Sequence, residues 1–359
     1  MKDFTLNIGE IVNTQRELSE LIGCPGHEEE VAAYVLARIR SLTERVWQDR
    51  LGNVLAELPA TQSAAAPGGE RILLDAHLDE VGFIISHVEE SGFLRLDTLG
   101  GVDRRVLPGT LLQFRADDGR RLIGVVGSMP PHATSPEERE KVADIPDLFV
   151  DLGLDSALKV EAEGLHVGSV GTFYTAFISR EDGVLIGKAF DDRSGCNVLI
   201  QVLTALSSRQ RPHTVLFNFA VQEEVGQGGA LVGSRALEPT LALAVENTTA
   251  LDVPDVPPRR IISRLGGGPV VTAADRTLVA PRRVLDRIRL AAEAAGLSWQ
   301  YKKPIYGGSD AGKIFTAGTG VPTGVLSVPC RYIHGPAALL RMEDLLATIR
   351  LTAAFCLLE

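Results

Sequence analysis

Paired cysteines, long apolar runs, excess positive charge and aromatic side chains are all scarce in this chain of 359 residues. Each scarcity removes a class of protein. The four cysteines, Cys24, Cys196, Cys330 and Cys356, are far apart and form no CxxC pair. That argues against a thiolate zinc site and for free thiols in a reducing cytoplasm. No apolar run reaches the roughly 18 residues of a membrane span. The opening MKDFTLNIGE lacks the charged-then-apolar order of a secretion signal. Basic residues number 36 against 46 acidic, a net charge of −10, so no nucleic-acid or anionic-membrane partner is expected. Aromatic residues make up 5%, which leaves few stacking platforms for sugars. What is present is ordinary for a globular protein: 45% hydrophobic and 23% charged residues, in a length that suits about two to three domains.

Two textures alternate along the chain. The stretch GHEEEVAAYVLARIRSL opens with Glu28, Glu29 and Glu30 and continues with Val31, Val35 and Ile39 about a turn apart, which predicts a helix. RLGNVLAEL reads as a strand pair around Gly52-Asn53, and the small-residue loop TQSAAAPGGE leads into ILLDAHLDEVGFII. From about residue 84 to 182, short strand-like pieces separated by glycine and turn signals predict a small all-β unit. One helical piece, SPEEREKVADIPDLFVDLG, falls inside it. An α/β rhythm then returns: helix SGCNVLIQVLTALSS, strand TVLFNFAVQ, strand LALAVE, helix RRVLDRIRLAAEAAGL, strand PTGVLSV and a helix from about Ala337. The expected fold is a mostly parallel sheet flanked by helices, formed by residues 1–83 and 183–359 and interrupted by an inserted β domain at 84–182.

Four segments place metal-competent residues just past an apolar strand: DAHLDEVG, QEEVGQGG, ENTTA and PCRYIHG. In a parallel sheet, ligands bind outside the carboxyl ends of strands. His77 and Asp79, two apart on extended backbone, point the same way, as a ligand and its orienting carboxylate would. Asp191 and Asp192 either cap a helix or present one carboxylate to two cations. Of Glu223 and Glu224, one would ligate and the other act as general base. Glu246 and His334 end two further strands. Counted together, His77, His334, Asp191, Glu224 and Glu246, with one acid bridging, give each of two metals three protein groups and an open position. His27, His87, His132, His166 and His213 read as ordinary surface or core histidines, with His132 reserved for an interface.

In order along the chain, PGHEEEVA, DAHLDEVGFI, LFVDLG, GKAFDDRSG, QEEVGQGGA, GGSDAG and RYIHG resemble the tetrahedral (TET) aminopeptidases. That family includes glutamyl and deblocking aminopeptidases and cellulase-M-like proteins. The resemblance implies a zinc-peptidase-like catalytic domain with a small β-barrel-like insertion for dimerisation. It implies two divalent metals, zinc or cobalt, with manganese also suited to these ligands. His77 and Glu246 would hold one and Glu224 and His334 the other; Asp191 would bridge them and join Asp192 by a cis peptide. Glu223 would be the base and Asp79 would orient His77. The family more often has aspartate where this chain has Glu246, so metal spacing is the point of departure. The implied reaction is hydrolysis of the N-terminal bond of short peptides by a metal-bridged water, in a cytoplasmic homodimer that assembles to a hollow dodecamer. Gly307–Asp310 is expected near the site.

Three other readings compete. A related deacylase or carboxypeptidase would need a basic group for the substrate carboxylate, for which Arg193, Arg331 and Lys188 are candidates. An endoglucanase would need two carboxylates about 5–9.5 Å apart and no metal, leaving His77 and His334 without a role. A non-catalytic assembly protein would not need the complete ligand set.

Overall fold

The computed structural model describes residues 6–61, 69–303 and 305–359. The expectations on MKDFT and on most of the loop at 61–70 lie outside these residues. In chain order the strands are β1 (Val46–Gln48), β2 (Val54–Leu58), β3 (Arg71–His77), β4 (Gly82–Val88), β5 (Leu94–Leu99), β6 (Leu111–Arg115), β7 (Arg121–Gly127), β8 (Phe149–Asp151), β9 (Val170–Phe173), β10 (Ile178–Ser179), β11 (Val184–Gly187), β12 (Thr214–Ala220), β13 (Leu241–Thr249), β14 (Val270–Thr272), β15 (Gln300–Tyr301), β16 (Thr323–Arg331) and β17 (Ala338–Arg341). The helices are α1 (Ile8–Glu20), α2 (Glu29–Ile39), α3 (Pro136–Arg139), α4 (Ala157–Ala162), α5 (Phe190–Ser207), α6 (Gly228–Leu237), α7 (Arg282–Ala295), α8 (Ala311–Phe315) and α9 (Met342–Leu357).

One mixed sheet runs β1-β2-β12-β3-β13-β16-β17-β11-β10, with β14 and β15 branching from β16. Its parallel part is the central four strands, β12, β3, β13 and β16. Antiparallel strands extend it on both sides. The central strands are apolar along their length because both faces are covered. Alternate residues serve opposite cores: Ile72, Leu74 and Ala76 of β3 pack with Val31, Leu199 and Ile349 of α2, α5 and α9, while Leu73 faces the layer that contains Ala230 of α6 and Ile314 of α8. Among the described residues no helix is long and apolar enough to cross a membrane.

The inserted unit is a closed six-stranded antiparallel barrel in the order β4-β5-β8-β7-β6-β9. Its interior contains Phe83, Leu94, Leu112, Phe114, Val150 and Phe173. The rings of Phe83 and Phe173 meet edge to face at 5.3 Å. The chain leaves the large sheet after His77 and is back in it at β10.

Two local expectations differ from the structure. The segment read as one helical piece at 135–153 contains only the single turn α3 and a 3-10 turn at Ile145–Asp147, and it ends in strand β8. Pro146 sits where a longer helix would need an amide donor, and the barrel supplies partners, Leu94 and Val126, for Val150. The last helix starts at Met342 rather than near Ala337, because Ala338–Arg341 pairs with both β11 and β16.

Candidate metal centre

His77 is the last residue of β3, and Glu246 lies within β13. Glu223 and Glu224 occupy the turn after β12, and Asp191 opens α5. His334 follows β16. Glu246, expected to end its strand, is followed by three further residues of β13 that stay paired with β16; the parallel register aligns His77 with Ala220 and Glu246 with Ser327, so the carboxyl side of the sheet brings these side chains to one place. The connecting backbone is unusual. Ala189, Gln222, Tyr332 and His334 have φ of 54°, 57°, 61° and 60°. Such left-handed non-glycine residues are uncommon, and they concentrate where a site dictates geometry. The Asp191–Asp192 peptide is cis.

Asp191 stands between the two histidines. Its Oδ1 lies 3.4 Å from His77 Nε2, and its Oδ2 lies 3.2 Å from His334 Nε2. Glu246 Oε2 is 3.9 Å from His77 Nε2, and Glu224 Oε1 is 3.3 Å from His334 Nε2. Two three-residue groups, His77–Asp191–Glu246 and Asp191–Glu224–His334, thus share Asp191, with donor atoms within 4.8 Å of one another in each group. His77, Glu223 and Glu224 form a third overlapping group.

Neighbouring groups fix how these side chains present themselves. His77 Nδ1 donates to the Asp79 carbonyl at 3.0 Å, and His334 Nδ1 donates to the Gly101 carbonyl at 2.9 Å. A carbonyl can only accept, so in both neutral rings Nε2 carries the lone pair and faces the carboxylates. The Asp79 carboxylate is 3.5 Å from His77 Nδ1 and also accepts the backbone N–H groups of Glu223 and Glu224, each at 3.0 Å. It therefore holds the two-glutamate turn as well as His77. Glu246 Oε1 accepts from Asp310 N–H at 3.2 Å, leaving Oε2 turned toward His77. Gln227 Nε2 donates to Glu223 Oε1 at 2.9 Å. Glu28 accepts from Gln222 N–H at 3.0 Å and from Gly26 N–H at 2.8 Å, tying the PGHEEE segment to the same turn. Gly100, at φ +83°, passes so close that a Cβ there would stand 3.3 Å from Glu224 Oε2 and 2.9 Å from Val81.

Electrostatically the cluster is short of positive charge. Burial pushes the Glu224 carboxyl up to about 8, with Asp191 adding to the rise. Burial also raises Glu223 and lifts Glu246 well above the ordinary range. Burial opposes ionisation of Asp191 too, but the two histidines outweigh it and hold Asp191 low. Burial would lower His334, yet Asp191 and Glu224 bring it up to about 9; Asp191 and Asp79 likewise hold His77 high. Glu224 Oε1 is buried and accepts no hydrogen bond. An imidazole and carboxylate set with a shared acid and an orphaned carboxylate oxygen fits two divalent cations.

The candidate basic groups of the deacylase reading lie elsewhere. Lys188 and Arg193 are buried against Glu80, at 2.7 and 3.2 Å, and Arg331 pairs with Asp252 at 2.8 Å. Thr172 of β9 also donates to Glu80, so this cluster joins the barrel to the sheet. His166 pairs with Asp117, His213 contacts the Leu358 carbonyl, and His132 is exposed. Gly307 and Gly308 line the cavity over the centre, as expected, whereas Ser309 and Asp310 are buried behind it. Sequence reasoning missed Gly101, Glu28 and Lys302, which also lines this cavity of about 400 Å³. The first acts only through its backbone, nothing local marks Lys302, and Glu28, within PGHEEEVA, reads from sequence only as the start of a helix.

The M42 glutamyl aminopeptidase family matches residues 52–351. Aminopeptidase APDkam598 of Desulfurococcus kamchatkensis superposes with a TM-score of 0.92 at 32% identity, covering 98% of this chain and 96% of that one. Pyrococcus horikoshii TET1 peptidase, which assembles into a tetrahedron or a large octahedral shell, gives 0.84 at 29%, covering 96% and 99%; a TET1 structure is also known as a dodecamer. Glutamyl aminopeptidase of Lactococcus lactis subsp. cremoris is 28% identical over 342 residues, 94% of this chain and 93% of the relative.

Proposed function

The chain belongs to the M42 glutamyl aminopeptidase family, and we propose that it hydrolyses the N-terminal peptide bond of short peptides using two divalent cations and Glu223 as general base. The observation that carries this reading is Asp191, shared between two ligand groups with Glu223 beside them. His77 and Glu246 would hold one cation, Glu224 and His334 the other, and Asp191 both. When bound, the cations supply Lewis acidity and a nucleophilic water at neutral pH. Glu223 takes the proton of the attacking water and passes it to the leaving amine. The Gln227 amide keeps Oε1 of Glu223 oriented for that transfer. A free substrate ammonium is drawn to the carboxylates, which confines cleavage to the first residue. Oxygen and imidazole donors suit zinc, cobalt and manganese alike, and the family resemblance favours zinc or cobalt.

The inserted domain, about residues 84–182, is assigned to dimerisation. Leu111 and Val125, paired across β6 and β7, and Ile123 beside them are exposed apolar residues on its surface. TET relatives form dodecameric assemblies, and the same end point is proposed for this dimer. Four buried free cysteines suit a reducing cytoplasm.

The test is hydrolysis of aminoacyl chromogenic substrates, with free or blocked N-termini, by chelated protein re-supplied with zinc, cobalt or manganese. Metal-dependent release from free N-termini alone is expected. Release from blocked substrates alone would replace this reading with a deacylase. Elemental analysis should give two metals per chain, and fewer in Asp191→Ala; two metals retained in that variant would remove the bridging role.

A further inference from the structure

The turn between β12 and α6 carries Glu223 and Glu224, yet Gln222, Val225, Gly226 and Gly228 along it are exposed, and Gln222 and Gln227 hold φ of 57° and 63°. Backbone of that kind keeps its shape only where its surroundings over-determine it. Two carboxylates grip the first half: Asp79 accepts from the N–H groups of Glu223 and Glu224, and Glu28 from that of Gln222. The second half carries Gln227, whose amide donates to Glu223 Oε1 at 2.9 Å. That half is held from the hairpin of β1 and β2. Strand β2 runs antiparallel to β12 with Val54 opposite Phe219, which sets Asn53 beside the end of β12. Asn53 is fully buried. Its Oδ1 accepts from Val221 N–H at 2.9 Å, and its Nδ2 donates to the Gly229 carbonyl at 3.1 Å. Val221 and Gly229 are the two feet of the turn, and the Gly229 N–H donates to the Val221 carbonyl at 3.1 Å. The second Nδ2 hydrogen of Asn53 goes to Asp49 Oδ2 at 2.7 Å. Asp49 Oδ1 accepts from the N–H groups of Leu51, Gly52 and Asn53 at 2.9, 3.0 and 3.1 Å, so one carboxylate organises the hairpin tip. Turning the Asn53 amide over would set its oxygen against two acceptors and its nitrogen against a donor, so the three bonds fix its orientation. The feet are closed tightly: a Cβ on Gly229 would stand 2.3 Å from the Val221 oxygen and 2.5 Å from Asn53 Oδ1.

We propose that Asn53 is a positioning residue for the general base. This rests on the reading of Glu223 as that base. Asn53 touches neither substrate nor cation. It ties the two feet of the turn together, the tie fixes where α6 begins, and Gln227 immediately before α6 then holds the Glu223 carboxylate. With the feet released, Gln227 loses its place and the carboxylate spreads over orientations that do not face the attacking water. A misplacement of about 1 Å caused far from the chemistry costs up to about 10²-fold, so loss of the Asn53 amide should lower kcat by about 10- to 100-fold. KM should stay within about twofold, because proton transfer is an interaction made only in the transition state. A residue that merely filled the hairpin tip would lower stability and leave kcat of the folded protein alone.

The test compares the parent, Asn53→Asp, Glu223→Gln and the double variant at saturating metal, on the aminoacyl chromogenic substrate the parent cleaves fastest. Asn53→Asp keeps the shape of the side chain and the acceptor for Val221 N–H but gives up both donations. Its kcat should fall by the stated amount, with KM and two metals per chain retained. In the Glu223→Gln background the same change should slow turnover by less than about twofold further, because a residue that acts through Glu223 has nothing left to position. A parent kcat in folded Asn53→Asp, a fall confined to KM, loss of a metal, or a full further fall in the double variant each overturns the proposal. If Asn53→Asp does not fold, Asp49→Ala decides: it frees the hairpin tip and the outer side of the Asn53 amide, so kcat should fall several-fold with KM kept, and a parent kcat overturns the proposal. A near-parent rate in Glu223→Gln rejects the base itself and Asn53 with it, whereas a slow Glu223→Gln beside a fast Asn53→Asp rejects Asn53 alone.

Discussion

In the barrel, Phe83, Leu112, Phe114, Val150 and Phe173 fill the interior, and ion pairs such as Arg95–Glu89 and Arg120–Glu163 lie toward solvent. In the α/β half, Asp191, Glu223, Glu224, Glu246 and His77 crowd the end of the central sheet, and Glu80, Lys188 and Arg193 form a buried cluster near it. The left-handed non-glycine residues follow the same division: Ala189, Gln222, Gln227, Tyr332 and His334 all belong to the α/β half. One region is stabilised by apolar burial with its charges left in water, as isolated folding stability favours. The other concentrates desolvated charge and unusual backbone where cations and substrate would compensate them. The two regions meet at Gly100 and Gly101, where the barrel's own loop passes Glu224 and holds His334. The barrel thus supplies part of the site's positioning while contributing none of the proposed ligands.

If that division is real, substitutions on either side should separate turnover from stability. The largest effect is expected from Glu223→Gln. Removing a general base costs about 10²–10⁴-fold in rate. Metal content and the urea midpoint should match the parent, because Gln retains the shape and Glu223 is the proposed base rather than a proposed ligand. A near-normal rate with metal bound would remove Glu223 from the mechanism. Phe114→Ala should do the reverse. A fully buried phenylalanine lost from a core costs about 3–5 kcal/mol, read from denaturant titration. Turnover of the folded fraction should stay near the parent value. A large fall in turnover without a fall in stability would show that the barrel does more than support the site.

The same contrast decides what was legible in the sequence. All seven predicted site residues meet at one place, because apolar strands followed by polar residues mark the carboxyl end of a parallel sheet, and that end is where such residues converge. The barrel was readable as a texture of short strands and turns. What escaped was set by partners distant in sequence. Phe149–Asp151 reads as the end of a helix until β5 and β7 are beside it. Ala338–Arg341 reads as the start of α9 until β11 and β16 claim it. The helix α1, capped by Asn7 and burying Ile11, Gln15 and Leu18, carries a helical period in Ile8, Ile11, Val12 and Leu18 and was legible in principle. Gly101 acts through a carbonyl, which no side-chain pattern encodes.

A smaller effect comes from Glu28, which is buried and bonded to the turn that carries Glu223. Burial, reinforced by Asp79, raises its carboxyl to about 7 from an ordinary 4.5. The folded state therefore binds this proton more tightly than the unfolded chain. Its contribution to stability is full below about 4.5 and is lost as pH rises through 7. Glu28→Gln removes that proton linkage. The stability of the parent relative to Glu28→Gln should fall across that window and level off above it. Parallel stability curves for the two proteins would show that Glu28 does not titrate there.

The smallest effect should come from Arg120→Ala on the barrel surface. Arg120 reaches Asp118 at 2.6 Å and Glu163 at 2.8 Å, so its contacts rival those of the buried Lys188–Glu80 pair in length. Distance alone would rank the two alike. All three barrel side chains are exposed, however, so water screens their attraction and the arginine gives up conformational freedom to make it. Glu80, by contrast, is withdrawn from water and left with two cations that would be stranded without it. Arg120→Ala should leave the urea midpoint and turnover where they were, whereas Glu80→Gln should lower the midpoint. A clear loss in Arg120→Ala, equal to that in Glu80→Gln, would mean that ion-pair length, not burial, governs both regions.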